Sequence, residues 1–159
     1  MSPRAVFGLS VLLGLASSSV AAVLLVEPAL RMLDSRTALL WLVAPHMFLR
    51  FIGLSFLVPG VVSATLPKKW AAPAAYGDLV AGILAVIASI GLAERAGWAE
   101  DAVWVFNVIG AADLLLAFYI GARVRLEPGS LGASYFIVTT IVPCLLVSHA
   151  LVFILLTRP

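Results

Sequence analysis

Two ionisable side chains stand one helical turn apart in the stretch APHMFLRFIGL, residues 44–54, where His46 and Arg50 interrupt an otherwise apolar run. A spacing of four residues puts both on one face of a helix. Three further polar residues sit inside apolar stretches: Asn107 and Asp113 in VWVFNVIGAADLLLAF, and His149 in VPCLLVSHALVF. An arginine and an aspartate can form a buried ion pair. Two imidazoles can transfer protons, accept hydrogen bonds or ligate a haem iron, and an asparagine can orient any of these groups.

The elements that must position them follow from composition. Hydrophobic residues make up 63% of the 159 residues and charged ones 11%, with a mean hydropathy of +1.14. A soluble domain could not bury that much apolar surface. In lipid, every backbone polar group needs an internal partner, so only helices or a closed barrel can span. The apolar runs are about 20 residues or longer and do not alternate as barrel strands would, which selects helices. The expected fold is an all-α integral membrane protein, a single domain over 1–159. It is a bundle of five transmembrane helices near 5–28, 38–64, 72–93, 102–122 and 133–157. Proline and glycine supply the punctuation: Glu27-Pro28, the LPKKW turn, Ala71-Ala72-Pro73 with proline suited to a first helical turn, and the Pro128, Gly129 and Gly132 loop. The first 28 residues resemble a signal peptide, but the apolar run continues through Val26 to spanning length and is expected to stay as the first helix.

Five spans put the termini on opposite sides. Arg4, Lys68, Lys69, Arg123 and Arg125 gather on one side, whereas Arg31, Arg36, Arg95 and Arg158 on the other mix with acidic residues. The positive-inside rule then makes the N terminus cytoplasmic. Ten basic against eight acidic residues, with no basic cluster carrying interleaved aromatics, argue against nucleic acid as a partner and leave the lipid bilayer as the surroundings. The single cysteine, Cys144, excludes an internal disulfide and multi-cysteine metal sites, and is expected to pack as a small apolar residue. No internal repeat points to a transporter of duplicated halves. Small residues at Ala81/Ala85/Ser89 and Ala117/Gly121 offer close helix contact within the chain or, alternatively, a homo-oligomer face. The tryptophans Trp41, Trp70, Trp98 and Trp104 fall near span ends, where indoles favour the interface.

Counting residues inward from these ends brings the polar groups to shared depths. His46 and His149 each lie about 12 Å from the far side, and Arg50 and Asp113 near the bilayer centre, at 1.5 Å per residue. A lone charge there costs at least a few kcal/mol. An Arg50–Asp113 pair inside the bundle is therefore expected, extended toward the outside by Asn107 and the histidines. Asp78, counted from a helix start near residue 72, is expected at the cytoplasmic interface within reach of Lys68 and Lys69.

The segments FIGLSFLVPGVV, PAAYGDL, VWVFNVIGAADLLLAF and YFIVTTIVPCLLVSHALVF together resemble a group of small hypothetical bacterial multi-pass inner-membrane proteins, over residues 46 to 153. The resemblance implies a bacterial inner (plasma) membrane home and a self-contained protein of about this length. It implies no activity.

From the residues themselves, the expected function is binding of an apolar or lipid-like small molecule such as a quinone, isoprenoid or lipid. His46, Arg50, Asn107, Asp113 and His149 would orient its polar end in an outward-opening cavity in the outer half of the bundle. The alternatives are a haem b held by His46 and His149, a proton-linked permease, and an assembly or structural membrane subunit. No nucleophile or leaving group is specified, so binding is favoured over catalysis. A bare metal is disfavoured because two histidines without a third ligand make a poor closed site. The rotation of the fifth helix is left open, since a Thr140/Cys144/Ser148 stripe lies about 100° from His149 on the helical wheel.

Overall fold

The computed structural model describes residues 1–158. Five helical segments are long and apolar enough to cross a membrane: α1 (Pro3–Leu30), α2 (Ser35–Leu57), α3 (Lys68–Ala93), α4 (Ala99–Arg123) and α5 (Ile137–Leu156). No strand occurs among the described residues. The boundaries differ from the sequence expectation in two places that matter. Helix α2 stops at Leu57, because Val58 is extended and Pro59-Gly60 turn the chain, with Gly60 at φ 87°. Helix α3 starts at Lys68, so Pro73 lies inside it rather than at its first turn.

Prolines shape the spans from within. Lacking an N–H and crowding the carbonyl four residues back, a proline loosens the turn before it. Both π-helical stretches, Ala22–Val26 and Ile137–Ile141, end two residues before a proline, Pro28 and Pro143 respectively. Pro143 deprives the Thr139 carbonyl of its usual donor, and α1 brings Gly14 against that carbonyl, where any side chain would crowd it. In α2, Asp34 caps the first turn by accepting from the Thr37 amide at 3.1 Å, and the Thr37 side chain, followed by that amide, holds its carboxyl below the usual range. Pro45 then interrupts the regular ladder just before His46, and Phe51–Leu57 tightens into a 3₁₀ turn.

Two apolar clusters fill the bundle. One, on the far side from the N terminus, gathers Leu39, Leu42, Val43, Ala85, Val103, Phe106 and Val152. The other, on the N-terminal side, gathers Phe56, Trp70, Ala75, Leu114, Leu131 and Val138. Ala81 and Ala85 are fully buried within the chain. Trp70 is buried as well, its indole Nε1 donating to the Ala117 carbonyl at 2.8 Å, so it packs helices together instead of marking an interface. On the N-terminal side, the connection after α2 hydrogen-bonds to the Pro128–Ser134 turn through Ser63 to Ser130 and Ala133 to Val61, both at 3.0 Å. Gly132, at φ 55°, lets that approach happen, since a Cβ there would strike the Val61 carbonyl.

Candidate functional site

Between the two apolar clusters lies a polar layer centred on Arg50, whose side chain is completely buried. Its Nη1 donates to Asp78 Oδ1 at 2.7 Å and to Asp113 Oδ2 at 2.9 Å. Its Nη2 donates to the Gly110 carbonyl at 2.6 Å and to His149 Nε2 at 2.8 Å. Because a guanidinium has no acceptor, His149 must accept through Nε2 and carry its proton on Nδ1. Nδ1 lies 2.6 Å from Asn107 Oδ1, and Asn107 Nδ2 donates to the His149 carbonyl at 3.2 Å. These bonds fix the asparagine's orientation together with the histidine's tautomer. Three spans thus converge on the guanidinium carried by a fourth.

His46 stands beside this network. Ser148 donates to the Leu42 carbonyl at 3.1 Å, which leaves its oxygen to accept from His46 Nε2 at 3.2 Å. The two imidazoles therefore carry opposite tautomers, and His46 Nδ1 has no partner among the described residues. Their ring centroids are 4.6 Å apart, and Phe106 packs on both, at 5.0 Å from His46 and 5.1 Å from His149.

Three glycines make the layer sterically possible. Gly53 of α2 faces the Asp78 side chain, Gly77 of α3 faces Asp113, and Gly110 of α4 faces His149 and Arg50. A Cβ at any of the three would overlap the side chain opposite. Each polar group thus occupies space left by a missing side chain on the neighbouring span.

All five residues singled out from the sequence belong to this layer, and the Arg50–Asp113 pair is direct. Asp78 was expected at the interface beside Lys68 and Lys69, and the structure overturns that. With α3 starting at Lys68, Asp78 lies about 15 Å along the helix and level with Arg50. Nor do the histidines open to the outside as expected. Both rings are buried, and Phe106 with Leu42, Val43, Val103 and Val152 fills that side. The rotation of α5 is resolved: Ser148 points to α2, Cys144 meets Ser18 of α1 at 3.2 Å, and His149 faces α4.

The open space lies on the opposite side of the polar layer. A cavity of about 370 Å³ runs from Asp78 and Asp113 toward the N-terminal face. Its walls are mainly apolar, with Phe7 of α1, Phe56 of α2, Trp70 of α3, Leu114 and Phe118 of α4, and Val138 of α5. Arg4 and Arg125 stand at its mouth, where Arg4 pairs with Glu127. Among the described residues no hydrogen bond reaches Asp78 Oδ2 or Asp113 Oδ1, and the two aspartates line the chamber's inner end as its floor. Their side chains are 8% and 13% exposed, against 0% for Arg50.

A family model described as a domain of unknown function, DUF8737, matches residues 6–157, which takes in all of the polar layer and, apart from Arg4, the lining of the cavity. The chain belongs to the DUF8737 family. No curated protein and no solved structure matches it.

The geometry of the polar layer does not suit a haem. Both nitrogens of His149 are engaged by Arg50 and Asn107, and the two rings are in contact with no room for a macrocycle between them. No cluster of three or more metal-ligating side chains occurs among the described residues.

Proposed function

We propose that this protein binds an amphipathic, lipid-like small molecule in the cavity beneath the polar layer, with the molecule's polar end against Asp78 and Asp113. The observation that carries the reading is a chamber with apolar walls ending on two carboxylates that a buried arginine holds in place. A volume of about 370 Å³ falls within the range of small-molecule pockets, which are mostly apolar with a few placed polar groups. Arg50, Asn107, His149 and His46 do not border the chamber. They hold its floor: Asn107 orients His149, His149 and Gly110 hold Nη2, and Nη1 fixes both carboxylates. The binding region thus shifts from the outer half of the bundle to the half nearer the N terminus.

The positive-inside distribution supports a cytoplasmic N terminus, and the resemblance to bacterial multi-pass proteins supports the bacterial inner membrane. The chamber would then open to the cytoplasmic leaflet. No side chain lining it pairs a nucleophile with a base, which favours binding over catalysis.

The test is to purify the protein in a mild detergent, extract it and identify retained molecules by mass spectrometry, beside an Ala117→Phe variant that fills the chamber from α4. Retention by the native chain and loss in a folded variant is the expected result. Equal retention by both would place the molecule elsewhere and reject the reading.

A further inference from the structure

We infer that the chamber takes a lipophilic monocation in exchange for the proton that the Arg50, Asp78 and Asp113 cluster otherwise holds; the inference rests on the binding reading above. The argument is a charge count. One guanidinium faces two carboxylates, so the cluster carries a surplus negative charge when both are ionised. The surrounding groups do not cancel it. His149 is neutral because its Nε2 accepts from Arg50, and Asn107 and Gly110 bring no charge. His46 meets neither aspartate among the hydrogen bonds of the described residues. At the mouth, Arg4 is taken up by Glu127, and Arg125 stands on the loop after α4, turns away from the floor.

An uncompensated charge near the bilayer centre is unfavourable by at least a few kcal/mol, so the cluster needs one positive charge from outside the chain. A proton on one carboxyl supplies it when the chamber is empty. A bound cation supplies it instead, and the proton then leaves to water through the mouth, so the charge stays balanced in both states. Two features favour an organic cation. Both aspartates line the chamber, and its walls carry the aromatic side chains of Phe7, Phe56, Trp70 and Phe118. Aromatic rings beside a carboxylate suit a quaternary ammonium, which they attract through their π faces without needing hydrogen bonds.

The experiment compares dodecyltrimethylammonium with neutral dodecanol, using the full-length protein in phosphatidylcholine nanodiscs. The ammonium probe has no proton to lose, so any proton released comes from the protein. Expected are saturable binding of both probes and a preference of about tenfold or more for the cation. About one proton should be released per cation bound, read by a pH indicator in weak buffer. Asp113→Asn, which keeps an oxygen acceptor for Arg50, should lose both the preference for the cation and the proton release. Equal affinities without proton release would overturn the exchange but leave the lipid-like pocket standing. Binding of neither probe by correctly folded protein, with Ala117→Phe behaving identically, would overturn both readings.

Discussion

Removing the Arg50 guanidinium would leave Asp78 and Asp113 in one buried layer with no hydrogen-bond donor to either side chain among the described residues. Breaking a buried ion pair by deleting one partner typically costs about 3–5 kcal/mol, because the remaining charge stays desolvated. Arg50→Leu is therefore expected to lower stability by about that amount in denaturant titrations of detergent-solubilised protein. Asp113→Asn behaves differently. The amide oxygen still accepts from Nη1, and the surplus negative charge disappears, so its stability should lie within about 1 kcal/mol of the native chain. The contrast is diagnostic of the charge count. If Asp113→Asn were as damaging as Arg50→Leu, the second carboxylate would be a structural necessity rather than a surplus. The same residue-scale reasoning made most of the layer visible in the sequence. Depth counting joined Arg50 to Asp113 and His46 to His149, because helical rise is uniform and these residues lie far from ambiguous ends.

Element ends and element packing were less legible. Pro73 fits a first helical turn, and reading it so moved Asp78 to the interface; in the structure the helix begins at Lys68 and absorbs the proline. The available sequence signal was glycine. Gly53, Gly77 and Gly110 each lie on a span beside a polar side chain of its neighbour, and a close-packed membrane interface favours small residues where something must fit. Gly53, facing the helix that carries Asp78, could have drawn that aspartate into the layer. Side-chain packing hid the rest: Phe106 packs on both histidine rings, and no periodicity reveals a ring's orientation. The glycines supply an element-scale prediction. Gly53→Ala and Gly77→Ala push a methyl into a buried carboxylate and should cost about 1–3 kcal/mol, the usual range for overpacking. Gly8→Ala, with open space around it, should be neutral or gain up to about 1 kcal/mol from helix propensity. Unfolding midpoints of the three variants decide it, and a Gly53→Ala protein as stable as Gly8→Ala would remove the steric argument.

At the scale of the molecule, α1 leans on α5 and is fastened at both ends by charges. Arg4 pairs with Glu127 at the N-terminal face, and Arg158 reaches Glu27 at 3.1 Å on the far one. The Arg158–Glu27 pair sets the end of α5 beside the C-terminal end of α1, so the two ends of the chain lie on opposite faces of the bundle, as an odd number of spans requires. The N-terminal face carries Lys68, Lys69, Arg123 and Arg125 besides Arg4, while the far face intersperses its arginines with Asp34, Glu94, Glu100 and Asp101. Basic residues in short loops resist translocation, whereas acidic ones exert little opposing effect, so the N-terminal face should remain cytoplasmic. The orientation has a functional consequence, since it decides which leaflet and which aqueous compartment the chamber meets. With Cys144 first changed to serine, a single cysteine at Ser2 should stay unlabelled by a membrane-impermeant maleimide added to intact cells and react once the membrane is opened. A cysteine at Thr157 should react from outside in intact cells. Labelling of both positions from the same side would refute the five-span topology. Labelling of Ser2 alone from outside would keep the fold but invert it, making the chamber a site entered from the external face.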